Sequence, residues 1–366
     1  MFKNLGQGGF LYNPCMVPAG QSDHLDPMID RLVESADSWA VTEIGADRGF
    51  TGRTVKVVWS SDGADRRAVV KMPDVSANFD RCAREIRFFE YLAPALGSSV
   101  PGFLGSCESD DPPHVSLAIE FVDGDDGDAE IGCSPDETVP ILKVLAELHA
   151  LGIREPSLCA HEWLPRWGRG VAGVARPHRH RAERFVKRTV VMRANYGDHI
   201  GSLMHAAMET LPSGLESLLA EASAYAPTLI HADIHLDNII FQSPHDGAMG
   251  AVLLDWQSVS AGPAAYDVVR LLTGALRGAA HQSAMADLID AYLGLRSAFG
   301  APITDVATFR RELVVLARLV LVGFVSGCAT LTESNTPMRH VRMIQKDLGD
   351  EGLPGACSVI ESLGSS

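Results

Sequence analysis

Between Leu229 and Gln257 the chain reads His231-Ala232-Asp233-Ile234-His235-Leu236-Asp237-Asn238, then the apolar run Val252-Leu253-Leu254, then Asp255-Trp256-Gln257. An Asp, an Asn five residues on and a second Asp closing an apolar run form one set of oxygen-bearing groups. Transfer of a phosphoryl group to a hydroxyl needs such a set: a carboxylate to orient the hydroxyl and accept its proton, and oxygen ligands for Mg²⁺ on the nucleotide phosphates. Asp233 suits the first task, and Asn238 and Asp255 suit the second.

Three short strands must position these groups. Thr228 to Ile230, Ile239 to Phe241 and Val252 to Leu254 have the composition, with turn residues Ser243-Pro244-His245-Asp246-Gly247 between the last two. The polar residues then converge at one edge of a small sheet. Asp and Asn also favour ordinary turns, but a motif with its strands in place is a more specific signal than a motif alone. Protein kinases place an Asp, an Asn five positions on and a metal-binding Asp in the same order.

His231-Ala232-Asp233 with Asn238, followed by Leu253-Leu254-Asp255-Trp256-Gln257, resembles the aminoglycoside phosphotransferase and choline kinase superfamily. That superfamily usually carries Gly where this chain has Ala232, a change that removes some backbone freedom and adds only a methyl. The Asp-Trp-Gln ending is most similar to the ecdysteroid-kinase-like branch. The resemblance implies an α+β, bilobal protein-kinase-like fold with a small antiparallel-sheet N-lobe and a larger, mainly helical C-lobe. It also implies Mg²⁺ and ATP, with GTP as the alternative donor, and a small-molecule alcohol as acceptor. By the same resemblance Asp267, in Pro263-Ala264-Ala265-Tyr266-Asp267, steadies the catalytic region, and His231 supports the loop rather than accepting the proton. A helix-start carboxylate favoured by the dipole is the plain reading of Asp267, and both readings are compatible.

The elements that would hold the nucleotide lie upstream. Asp26-Pro27 reads as a helix N-cap and first position, with Met28, Ile29, Leu32, Val33 and Ala36 on one face. Trp39 to Ile44, Thr54 to Ser60 and Arg67 to Met72 read as strands. Gly45, Gly49, Thr51 and Gly52 fall in the first hairpin and could let backbone approach phosphates, although three glycines in a surface hairpin are weak evidence alone. Lys71 ends the third strand, and a helix expected over Asp80 to Leu96 carries Glu85. A strand lysine and helix glutamate can together fix the α- and β-phosphates. Glu90 competes with Glu85 as the partner; the run Arg84 to Leu92 resembles the same helix of the ecdysteroid-kinase-like branch and favours Glu85. Val115 to Val122 reads as a further strand running into a hinge, where the resemblance assigns the Glu120 carbonyl and Val122 amide to the base.

The domain boundaries follow: residues 1–122 as an N-terminal lobe with an extension and the nucleotide-covering hairpin, 123–133 as hinge and linker, and 134–366 as the catalytic and substrate-binding lobe. Asp123-Gly124-Asp125-Asp126-Gly127-Asp128 lacks the closing Glu of an EF-hand and reads as a flexible linker rather than a calcium loop. Ser134 to Glu137 is a capping box that opens a helix ending near His149, itself expected to be a packed histidine. Arg166 to Arg193 holds nine Lys or Arg against one acid, Glu183; a solvated helix or insertion is the simpler reading than an anion-binding arm or a His178/His180 metal site. The stretch to about residue 348 reads as helical.

Composition narrows the function. A chain of 366 residues that is 46% hydrophobic and 21% charged is ordinary for a two-lobed globular enzyme. Its formal charge of −15 argues against nucleic-acid binding. Seven cysteines, at 15, 82, 107, 133, 159, 328 and 357, show no close pair or Cys/His spacing, and Met1 to Phe10 lacks a signal-peptide core, so a cytoplasmic protein with free thiols is expected. Leu313 to Leu331 is largely apolar but contains Arg318, which favours a buried helix over a membrane span. The expected activity is Mg²⁺-dependent transfer of the ATP γ-phosphoryl group to a small-molecule hydroxyl, with an antibiotic or other secondary metabolite as acceptor. Aminoglycosides form an attractive subset. A non-catalytic nucleotide-binding scaffold is the rival, disfavoured by retention of Lys71, Asp233, Asn238 and Asp255. Asp-Trp-Gln in place of Asp-Phe-Gly, with no Ala-Pro-Glu after it, disfavours a protein kinase.

Overall fold

The structure, a computed structural model, describes residues 26–45, 52–73, 75–110, 113–168, 178–243, 249–278, 282–332 and 334–364. Gly49, Thr51, the stretch before residue 26, residues 169–177 of the basic segment and residues 244–248 of the hairpin lie outside the described residues. The chain divides into two compact units, Met1–Phe79 with Leu104–Phe121, and Asp80–Phe103 with Val122–Ser366.

In the first unit, helix α1 (Pro27–Val33) starts on the Asp26 carboxylate, which accepts the Met28 amide at 2.8 Å and also pairs with His114 Nε2 at 2.9 Å. Pro27 occupies the first position, where its missing N–H costs nothing. Strands β1 (Ser38–Glu43), β2 (Gly52–Ser61), β3 (Ala64–Pro73), β4 (Phe103–Asp110) and β5 (Pro113–Glu120) form one sheet in the order β1-β2-β3-β5-β4. The β2–β3 hairpin is antiparallel and closes at Ser61 opposite Ala64, with both turn residues at positive φ (Asp62 55°, Gly63 76°). That is the mirror-image two-residue turn, whose twist matches the strands and which Asp-Gly accommodates best. Val55, Val57 and Trp59 alternate along β2 and pack with Met28, Ile29, Val41, Ala68, Val70 and Ala118. Each such aliphatic side chain, fully buried, contributes about 1.5–3 kcal/mol.

Strand β4 is absent from the sequence expectation. Phe103-Leu104-Gly105-Ser106-Cys107-Glu108 contains no β-branched residue, and Phe103, Leu104 and Glu108 are exposed, so an edge position leaves no alternation to read.

The second unit is mostly helical. Helix α2 (Val75–Tyr91) begins before the expected Asp80 and stops short of Leu96, because Pro94 cannot donate to the Glu90 carbonyl; a 3₁₀ turn, Ala93–Ala95, follows. The remaining helices are α3 (Pro135–Arg154), α4 (His178–Tyr196), α5 (Ser202–Ala224), α6 (Ala264–Ala275), α7 (Met285–Ala298), α8 (Val306–Cys328), α9 (Met338–Leu348) and α10 (Leu353–Gly364). The expected capping box opens α3: Ser134 Oγ accepts the Glu137 amide and Glu137 Oε2 accepts the Ser134 amide at 2.7 Å. Helix α8 is the apolar stretch that invited a membrane reading; it packs against α6 and α10, and among the described residues no helix is long and apolar enough to cross a membrane. Helix α10 lies beyond the expected helical region and is held by Leu353, Ala356, Cys357 and Ile360 at helical spacing.

The acidic stretch expected to be a flexible linker is held in place. Asp125–Asp126 forms strand β6 and pairs with β8 (Ile239–Gln242), which in turn pairs with β9 (Gly250–Leu253). A Cβ on Gly124 would lie 2.3 Å from the Phe241 carbonyl oxygen, and one on Gly127 2.3 Å from the Leu236 carbonyl oxygen. Glycine is there for close backbone approach rather than for mobility. Strand β7 (Thr228–Ile230) pairs with the short strand β10 (Ser260–Gly262), another element without a sequence signal.

Candidate active site

The loop from β7 to β8 carries His231, Asp233 and Asn238, and one buried carboxylate organises its start. Asp267, in the first turn of α6 and fully buried, accepts the His231 amide at 2.7 Å on Oδ2 and the Ala232 amide at 2.9 Å on Oδ1. His149 Nε2 reaches the same Oδ2 at 3.2 Å. His149 Nδ1 meets the Tyr292 hydroxyl at 2.7 Å, and that hydroxyl accepts from Arg296 Nη1 at 3.0 Å. The order of donors is then fixed: Arg296 to Tyr292, Tyr292 to His149, and His149 to Asp267. The packed histidine of the sequence reading is a link in this chain.

Burial pushes the His149 pKa below the ordinary 6.5, against the pull of Asp267, and it lowers His235 as well, against the pull of Asp233. Both imidazoles are neutral in the fold, whereas in the unfolded chain they take up protons near pH 6.5. The unfolded state therefore binds more protons as pH falls below that value. Stability is complete above it and declines below it, by up to about 1.4 kcal/mol per pH unit for each histidine. In urea unfolding between about pH 8 and about pH 5, the histidine contribution should make the fall in stability steeper in the parent than in His149→Phe; the same pH dependence in both would contradict the neutral assignment.

Ala232 has φ of 66°. The left-handed region costs an L-residue about 1–2 kcal/mol, and glycine nothing, so the loop carries strain at the position where the resembling superfamily has Gly. Ala232→Gly should raise unfolding free energy by up to about 1 kcal/mol, since relief of strain exceeds the added freedom of the unfolded chain. A lower urea midpoint would contradict this.

His231 is fully buried and both its ring nitrogens meet backbone: Nε2 lies 2.9 Å from the Leu254 carbonyl, and Nδ1 accepts the Asp233 amide at 3.3 Å. Asn238 Nδ2 donates to the Asp233 carbonyl at 3.1 Å and to His235 Nε2 at 3.1 Å. Both amide hydrogens are thereby used, and Oδ1 is the oxygen that could ligate a metal. The Asn238 carbonyl accepts the Leu254 amide at 2.9 Å, tying the loop to the segment that ends in Asp255.

Asp255 sits at φ 61°, ψ 69°, ahead of a 3₁₀ turn, Trp256–Ser258, and its Oδ2 accepts Gln257 Nε2 at 2.9 Å. Trp256 is fully buried, stacks on Phe88 with centroids 3.9 Å apart, and bonds the Leu253 carbonyl through Nε1 at 3.1 Å. Helix α2 holds this segment from its other side, through Glu85 Oε1 on the Trp256 amide at 3.2 Å and Arg84 Nη1 on the Gln257 carbonyl at 2.9 Å. Glu85, expected as a lysine's partner, meets the Trp256 amide, which contributes no side-chain pattern to the sequence. One amide oxygen and one carboxylate on adjoining segments fit Mg²⁺, which takes one or two protein oxygens alongside phosphates and water.

A second anchor also escaped the sequence. Arg339 of α9 grips Asp237 through Nη1 at 2.9 Å and Nη2 at 2.6 Å, and Nη2 also reaches Asp128 Oδ1 at 2.8 Å. Burial would raise the Asp237 pKa, but Arg339 and the Ala129 amide together hold it below its ordinary value. The partners lie 102 and 211 residues apart, which no local pattern reveals.

The other expected residues are placed as follows. Lys71 lies on β3, opposite Thr54 of β2 and Leu117 of β5. Gly52 opens β2 with φ 126°, and Gly45 has φ 74°. Glu120 ends β5 opposite Ala68, and Val122 opens the next stretch of the second unit.

The model of the phosphotransferase enzyme family (APH) matches residues 43–302. Among solved structures, the chain is similar to spectinomycin phosphotransferase in complex with ADP and spectinomycin, with a TM-score of 0.56 at 11% identity over 93% of this chain and 99% of that one. The GDP complex of aminoglycoside 2'-phosphotransferase-IIIa gives 0.54 at 14% identity over 87% and 96%. A Plasmodium vivax ethanolamine kinase gives 0.51 at 11% identity over 93% and 86%. At these identities the likeness is one of fold, and it is the α+β kinase-like fold expected from the sequence. Comparison with curated protein sequences gives no match.

Proposed function

The chain belongs to the phosphotransferase enzyme family and is a small-molecule kinase; from that premise we propose that it moves the γ-phosphoryl group of ATP, with Mg²⁺, to a hydroxyl of an antibiotic or other secondary metabolite. The observation that carries the reading is the Asp267 clamp, which fixes the loop bearing Asp233 while Asn238 is tied to the strand leading to Asp255. The known structures of similar fold hold ADP with spectinomycin, and GDP with kanamycin, which supports a nucleotide and a small-molecule acceptor.

In this mechanism the Asp233 carboxylate orients the acceptor hydroxyl and takes its proton as the oxygen attacks the γ-phosphorus in line and ADP departs. His231 is unsuited to that proton because both ring nitrogens already serve backbone groups. Asn238 and Asp255 would hold Mg²⁺, which when bound offsets charge on the phosphate oxygens. Lys71 would position the phosphates, and the Glu120 carbonyl and Val122 amide would receive the base. The six cysteines described are free thiols, which suits a cytoplasmic enzyme with access to ATP.

The test is transfer of γ-labelled phosphate from ATP and from GTP to a panel of aminoglycoside, nucleoside and macrolide compounds, with Asp233→Ala as control. Label on one class, absent in the variant, supports the reading. Tight nucleotide binding with no label on any compound favours a scaffold.

A further inference from the structure

Beside the catalytic loop lies a cavity of about 530 Å³ within the second unit, lined among others by Ile234, His235, Tyr266, Arg270, Val320 and Phe324. Its size is that of a small-ligand site. Ile234 and His235 directly follow Asp233, and Tyr266 and Arg270 stand one helical turn apart on α6, whose Asp267 clamps the loop. Its charges are unevenly matched. Asp237 is held by Arg339, and Asp347 is paired with Arg277, which also donates to the Ala129 carbonyl at 2.8 Å. Arg270 makes no hydrogen bond or salt bridge with a described residue, although its charge acts on the neighbouring Asp347 and Tyr266. Burial pushes Asp347 toward its neutral form against Arg277 and Arg270, and keeps the Tyr266 hydroxyl protonated. His340 completes the polar wall, and Met343, Ile344 and Leu331 extend the apolar one.

We infer that this cavity receives the acceptor, and that the acceptor is a largely apolar alcohol bearing a carboxylate or similar anion, bound by Arg270, rather than a polycation. The inference rests on the phosphotransfer reading for the word acceptor. A polyammonium compound entering here would find the lining carboxylates Asp237 and Asp347 already paired and the Arg270 guanidinium on the same wall, so its desolvated charges would gain little in return. An anion on an apolar body gains both the guanidinium and the apolar walls.

The test is calorimetric titration of the full chain with three probes of one length: ω-hydroxylaurate, its methyl ester, and ω-aminolauryl alcohol. The carboxylate should bind at least about tenfold more tightly than the ester, the margin of a charge-assisted hydrogen bond, with the ammonium probe weakest. Arg270→Gln should abolish the gap between carboxylate and ester, Arg270→Lys should keep it, and unchanged ester affinity in both shows the cavity intact. An ammonium probe binding as tightly as the carboxylate, an unchanged order in Arg270→Gln, or no binding by any probe overturns the inference. Adding Mg·ATP separates the two readings. Binding in the stated order without phosphorylation counts against the kinase reading alone, and phosphorylation without that order counts against the cavity assignment alone.

Discussion

Asp233→Asn should lower turnover by about 10²–10⁴-fold, the usual contribution of a positioned general base, and leave nucleotide affinity unchanged. The amide keeps the size and one acceptor oxygen of the carboxylate, so the loss isolates proton acceptance from packing. Its neighbours are positioned without it: the Asp267 carboxylate holds the His231 and Ala232 amides, and the Asn238 side chain bonds the Asp233 backbone carbonyl, not its carboxylate. Steady-state kinetics alongside nucleotide titration reads both quantities. Near-normal turnover would remove Asp233 from the mechanism.

The largest effect on stability is expected at Asp267. Asp267→Asn replaces one of two acceptor oxygens with a donor, and that donor must face either the Ala232 amide or the His231 amide and His149 Nε2. At a site with no exposure the mismatch cannot be relieved by water, and breaking a buried charged network costs about 3–5 kcal/mol. The loop that carries Asp233 loses its anchor in the same event, so turnover falls even in the fraction that remains folded. Urea unfolding gives the first number, and kinetics at a temperature where the variant is fully folded gives the second. A midpoint within error of the parent would mean that the loop is held by something else.

What the sequence made legible follows from how local each signal was. The strands β7, β8 and β9 and the Asp233–Asn238–Asp255 order could be read because apolar runs, turn residues and chemistry fall within one segment of the chain. The helix caps at Asp26 and Ser134 were equally visible, since a cap is a pattern of adjacent residues. Edge strand β4 was not, because half-exposed positions carry no alternation. Tertiary anchors were invisible for a different reason. The Arg339 grip, the Glu85 bond to the Trp256 amide and the Arg296–Tyr292–His149 relay each join segments far apart in sequence. The bond from Glu85 to a backbone amide leaves no trace in residue types. In the acidic stretch 123–128 Asp and Gly together suggest a mobile linker, whereas here glycine marks close backbone approach and Asp128 meets an arginine.

In the proposed mechanism Asp233 accepts a proton while the γ-phosphoryl group passes directly from nucleotide to acceptor. A carboxylate in the same place could instead act as a nucleophile and carry the phosphoryl group itself. The configuration at phosphorus distinguishes the two when the enzyme turns over ATP made chiral at the γ-phosphorus with oxygen isotopes. Direct in-line transfer is one displacement and predicts inversion in the phosphorylated product; retention, the mark of two displacements through a phosphorylated enzyme, would contradict the account.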